Sequence, residues 1–225
     1  MGKDDIYHGN LKNKFLLLCG AISGIIFSLS WMIQEAFKVR YNPMMIPISS
    51  LAIGELGWIQ TATFLISGIA LILFTYGLEK IRKNEGFSKW ITIFLAIGSI
   101  GLIGAGCFTT DPMNGFPPGT PEIIIETTLT GTLHQLFSVL LFIGLPIAMV
   151  FFSKHFLNVK NRKWLIYSIS SAILFIIFMI LIKAASFSSL GLLPFYGLIQ
   201  RIMLIIGFLW IILLSCHFLK YNFTY

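Results

Sequence analysis

Six stretches of the chain are apolar almost without interruption, at residues 15–33, 58–78, 90–106, 131–152, 164–182 and 197–217, and polar or basic segments separate them. Each is close to the roughly 20 residues that a helix needs to cross a hydrocarbon core about 30 Å thick. A lone strand would leave its backbone unpaired in lipid, whereas a helix satisfies its N–H and C=O groups within the segment. The pattern predicts an all-α fold, a polytopic bundle of six transmembrane helices. It forms one integral membrane domain over residues 1–225, with neither a soluble domain nor an internal repeat marked in it.

The connectors differ in kind. "EKIRKNEGFSK" and "SKHFLNVKNRK" read as plain basic loops, whereas residues 34–57 and 107–130 are longer than joining two helices requires. Long loops of this sort tend to carry function. In the first, Pro43 and Pro47 bar regular helix at their own positions and press Asn42 and Ile46 toward extended backbone. The following "PISSLAIGELGW" is too apolar to stand in water, so it is expected to fold back onto the mouth of the bundle. A short helix with Ser49 as N-cap is expected there, and Trp58 marks the membrane interface. "DPMNGFPPGTP" in the second loop reads as a rigid Pro/Gly turn. Gly20 with Gly24, and Gly98 with Gly101 and Ala105, have the spacing of close helix seams, and Pro146 predicts a kink near Phe142.

Charge adds direction to this picture. The chain is 56% hydrophobic and 11% charged, about half the charged share of a soluble domain. Twelve of its sixteen Lys and Arg lie with the termini and the two basic connectors, leaving Lys38, Arg40, Lys183 and Arg201 on the other side. By the positive-inside rule both termini are cytoplasmic, the long loops are extracytoplasmic, and the expected location is the cell membrane. The formal charge of +7 therefore reports topology and an affinity for anionic lipid. Membrane lipids are the expected partners; nucleic acid is not. Cys19, Cys107 and Cys216 show no paired spacing, and only His134 of the four histidines lies on the outer side. No metal, haem or other cofactor is expected from that inventory.

The residues that could carry chemistry gather on the outer side. If the fourth helix begins near Glu126, then Glu126, Thr130, His134 and Ser138 recur every four residues and make a polar stripe. Arg201, preceded by Gln200, lies about one turn inside the sixth span, where an ionisable side chain needs a partner. Asp111, Glu126 and Glu55 are the carboxylates on offer, and Lys183 could join the network. Asp111, Glu126 and His134 have the chemistry of an acid–base site, and Ser49 or Ser50 could act as a nucleophile with His134 as base. A buried Arg–carboxylate pair can equally do no more than tie helices together.

"YNPMMIPISSLAIGELGWIQTATFLISGIALILFTYGL", "LIGAGCFTTDPMNGFPPGTP", "TGTLHQLFS" and "GLIQR" together resemble the bacterial and archaeal membrane family known as domain of unknown function 998. The resemblance rests most on Tyr41, Pro43, Ile48, Ser49, Gly57, Trp58, Asp111, Pro112, Pro117 to Thr120, Gly131 to His134, Gln200 and Arg201. It implies about six spans and no activity. Thr130 stands where it leads one to expect a His or a Ser, so a two-His metal site is not expected. Ser49, Asp111, His134, Gln200 and Arg201 all fall on the outer side. The expected function is non-catalytic binding of a lipid headgroup or small polar ligand in an extracytoplasmic polar pocket, with Arg201 holding an anion or pairing with Asp111. The alternatives are a lipid-modifying hydrolase or transferase using Asp111, Glu126 and His134, and a structural or assembly partner with no ligand.

Overall fold

A computed structural model of the chain describes residues 3–120, 127–187 and 190–223, with side chains described between 11 and 220. It contains six long helices: α1 Lys3–Phe37, α2 Gly57–Glu85, α3 Lys89–Cys107, α4 Leu129–Asn158, α5 Arg162–Ala185 and α6 Tyr196–Phe223. All six are long and apolar enough to cross a membrane, as a multi-pass membrane protein requires. Two short 3-10 turns, Ile48–Ala52 and Leu193–Phe195, are the other helical segments of the described residues. Glu122 and Glu126 lie outside those residues.

The helices run past the apolar stretches that announce them. α2 continues through the basic "EKIRKNE" to Glu85 and ends on Gly86 at φ 73°, and Ser88 caps α3 through its side chain. Asn161 caps α5 in the same way after α4 reaches Asn158. The two basic connectors, read from sequence as loops, are therefore mostly helix with three-residue joints. Lys, Arg and Glu are good helix formers, so a polar run continues a helix that packing has begun. Pro146 lies inside α4, which stays helical on both sides of it.

Each helix packs against its neighbours in chain order, and α6 closes back onto α1. Without a hydrophobic drive between helices in lipid, close approach has to supply the cohesion. At the α3–α4 seam a Cβ on Gly101 would lie 2.6 Å from the Phe137 carbonyl, and one on Gly144 would lie 2.6 Å from that of Phe94. Gly20 rests in the same manner on the Phe74 ring, and Gly24 on Ile212. The interior is filled by aromatic rings, among them the Phe27–Phe208 stack at 4.1 Å, and by Trp210, whose indole donates to Ser168. α5 is the least enclosed helix: 22% of its most apolar stretch is buried, against 44–56% in the others. Its neighbourhood is where the bundle has room.

Candidate functional site

The two long loops lie at one end of the bundle and are pinned there by two separate clasps. The first is built around Arg201, on the second turn of α6 and only 5% exposed. Its Nε donates to Glu35 at 2.8 Å, and Nη2 forms an ion pair with the same carboxylate at 2.8 Å. Nη1 donates to the carbonyls of Ile46 and Gly197 at 3.0 Å, and Nη2 also donates to the Tyr41 hydroxyl at 2.7 Å. Four hydrogen bonds and the ion pair engage all three nitrogens of the guanidinium. The Trp31 and Tyr41 rings lie against the same cation, 5.4 and 5.6 Å from it. Glu35 is near the C-terminus of α1 and Arg201 near the N-terminus of α6, so each sits where the helix dipole disfavours its charge. Their pairing offsets both costs.

Tyr41 extends the clasp into the loop, its hydroxyl lying 3.2 and 2.9 Å from the carbonyls of Ile46 and Pro47. Burial pushes this phenol up to about 12, against the opposing pull of Arg201. Gln200 accepts from the Ile48 N–H at 2.7 Å. Lys38 donates to the Ile53 carbonyl at 2.6 Å, just past the 3-10 turn, and burial pushes its pKa down. The apolar loop segment does fold back onto the bundle, with Ile48, Ser49, Ser50 and Leu51 buried. Ser49, however, is not an N-cap: the turn begins one residue earlier, with Pro47 in the cap position and no side chain capping it.

The second clasp joins the other loop to the α3–α4 seam. Asp111, 5% exposed, accepts from the Thr128 N–H at 3.1 Å and from the Thr128 hydroxyl. Thr128 is the N-cap of α4 and accepts in turn from the Gly131 N–H at 3.0 Å. The carboxylate thus lies at the N-terminal end of a helix, where negative charge is favoured. It lies so close that Gly131 has no room for any side chain. Reciprocally, His134 of α4 places Nδ1 2.9 Å from the carbonyls of Ala105 and Phe108, at the C-terminal end of α3. Two carbonyl partners mean that Nδ1 carries the proton, which leaves Nε2 as the acceptor of the neutral ring.

The loops also hold each other. Met113 and Phe116 exchange backbone bonds across Asn114 and Gly115, whose φ angles of 54° and 72° suit the tight hairpin turn that Asn-Gly favours. The Asn114 side chain donates to the Met45 carbonyl at 2.9 Å, and the Phe116 ring meets Tyr41 edge-on.

Several sequence expectations change in this light. Arg201 pairs with Glu35 and not with Asp111, and its three nitrogens all have protein partners. α4 begins at Leu129, and Thr130 is exposed, so the polar stripe narrows to His134 and Ser138 on the bundle side. Glu126 lies outside the described residues. An acid–base reading of Asp111 with His134 gains no support, since the Asp111 oxygens are taken by Thr128 and the His134 proton by backbone. Among the described residues no three His, Cys, Asp or Glu gather as metal ligands.

Ser49, His134 and Gln200 do come together, along a cavity of about 580 Å³ between α4, α5 and α6 beneath the loops. Its polar groups gather mostly toward the loops, with Thr110, Asn114, Gln135 and Ser186 beside those three and Pro47, Met113 and Leu193 among them. Deeper along the helices Val139, Phe142, Ile143, Met179 and Ile182 make it apolar. Sequence reasoning missed Glu35, Thr128 and the contribution from α5 other than Lys183. Glu35 had a signal: it is a carboxylate just after the first apolar stretch, at the same end of the spans as Arg201.

A family model described as protein of unknown function (DUF998) matches residues 21–217. That range takes in both clasps and the whole cavity lining. No curated protein and no solved structure matches the chain.

Proposed function

Since the chain belongs to the DUF998 family of proteins of unknown function, we propose its role from its own geometry: it binds an amphiphile in the cavity beneath the long loops. The one observation that carries this reading is the division of the lining into a hydrogen-bonding end and an apolar end within a volume of about 580 Å³. Ligand sites are commonly several hundred Å³, mostly apolar, with a few convergent polar groups that set orientation. The headgroup lies among Ser49, His134 and Gln200, where the Nε2 lone pair of His134 accepts a hydrogen bond. The tail follows α4 and α5 toward the bilayer centre. The excess of Lys and Arg at the opposite end supports the cell membrane as the location, with the loops and cavity facing out.

Val139 lines the cavity from the exposed side of α4, so Val139→Trp fills the space without disturbing the core. Purified protein carrying it is expected to retain about tenfold less co-purifying lipid by native mass spectrometry, a loss of roughly 1.4 kcal/mol of binding. Unchanged lipid retention in a folded Val139→Trp protein would remove the reading.

A further inference from the structure

Resting on that reading, we infer that the amphiphile is an anion with a phosphate-class headgroup, and that Lys183 selects it. The cavity lining contains a single charged side chain, Lys183, and no carboxylate among the described residues. Among the described residues, Glu35 and Asp111 of the same end are engaged elsewhere, Glu35 with Arg201 and Asp111 with the cap of α4. Lys183 is on the last turn of α5 with its ammonium 5.6 Å from the Phe187 ring centroid, and it is exposed rather than drawn into the bundle. The Gln135 amide and the Ser138 hydroxyl add neutral hydrogen-bonding groups to the same lining. A cation with hydroxyl and amide donors around it and no resident acid suits a phosphodiester or phosphate oxygen. It would repel a cationic amine and gives a zwitterion no partner for its positive end.

A lysine in the last turn of a helix also complements the helix dipole, a role that requires no ligand. The two roles separate in a competition experiment. Full-length protein is equilibrated in micelles holding equal amounts of phosphatidylglycerol and phosphatidylcholine with identical acyl chains, and the retained lipids are counted by native mass spectrometry. The parent is expected to prefer phosphatidylglycerol by about fivefold, the weight of one lysine near an anionic lipid. Lys183→Gln is expected to bring the ratio to about one by a loss of phosphatidylglycerol with phosphatidylcholine little changed, and Lys183→Glu to invert it. If inorganic phosphate instead protects the parent against thermal unfolding and displaces the lipid, and does neither in Lys183→Gln, the anion site stands and its occupant is a free phosphate. A ratio that Lys183→Gln and Lys183→Glu leave unchanged, with no Lys183-dependent protection by phosphate, overturns the inference. The amphiphile reading fails on a different readout, the total lipid lost in Val139→Trp.

Discussion

Replacing Arg201 with Met is expected to lower the apparent Tm of the detergent-solubilised protein by about 10 °C, the equivalent of about 3–5 kcal/mol for breaking one half of a buried ion pair. The size of the effect comes from what remains behind. Glu35 loses the partner of its carboxylate, 20% exposed, and the carbonyls of Ile46 and Gly197 and the Tyr41 hydroxyl lose their donors. Met keeps the aliphatic stem but stops short of the guanidinium, so the loss reports the polar bonds together with the contacts of the cation with Trp31 and Tyr41. Proteolysis should follow, with new cleavage between residues 38 and 56 once the loop is unpinned. Glu35→Gln is expected to cost less, because its amide oxygen still accepts from the guanidinium. A Tm within about 2 °C of the parent for Arg201→Met, under 1 kcal/mol by the same conversion, would mean that the guanidinium does not hold the loop.

Gly131→Ala is expected to be the next most disruptive change, for a steric reason. A Cβ at this position would fall onto the Asp111 carboxylate, which the cap of α4 holds in place. Overpacking of this kind costs about 1–3 kcal/mol, roughly 5 °C in Tm. The cause can be isolated with a double-mutant cycle. Asp111→Ala alone loses the cap of α4, but in its presence Gly131→Ala should add almost nothing, since the clashing carboxylate is gone. Strictly additive losses in the thermal shifts would show that Gly131 and Asp111 are not in contact.

Much of the fold was legible in the sequence, because lipid allows few solutions. An apolar run of about 20 residues has to become a helix there, and six of them account for α1 to α6. The small-residue seams at Gly20, Gly24 and Gly101 were legible for the same reason. Helix ends were less so. α1 carries four residues past Ile33, which converts Glu35 from a loop residue to a helical one and puts its carboxylate within reach of Arg201. The candidate site was legible as a list of residues but not as a set of partners. Arg201 and Glu35 are separated by 166 positions, and charge alone cannot choose among Asp111, Glu55 and Glu35. Ser49, His134 and Gln200 were visible as polar residues in apolar surroundings. That they share one cavity follows from the route of the first long loop, which the Tyr41 and Arg201 bonds determine. On α5 only Lys183 gave a signal, because the rest of its contribution, Met179 and Ile182, is an apolar wall indistinguishable in sequence from a lipid-facing surface.

The clasps give the resemblance motifs a physical meaning. Tyr41, Gln200 and Arg201 hold one loop, while Asp111, Gly131 and His134 hold the other. Of these residues, Gln200 and His134 also line the cavity.

A photoreactive phosphatidylglycerol with a diazirine in its acyl chain tests the cavity most directly. Reconstituted with the parent protein and irradiated, it should label Val139, Ile143, Met179 and Ile182 well above Ile166, Ile173 and Ile177, which are exposed on α5. Labelling that Val139→Trp suppresses at Ile143, Met179 and Ile182 and leaves unchanged at Ile166, Ile173 and Ile177 is the predicted result. Labelling spread evenly over all exposed apolar residues of α5, and unaffected by Val139→Trp, would contradict a bound amphiphile.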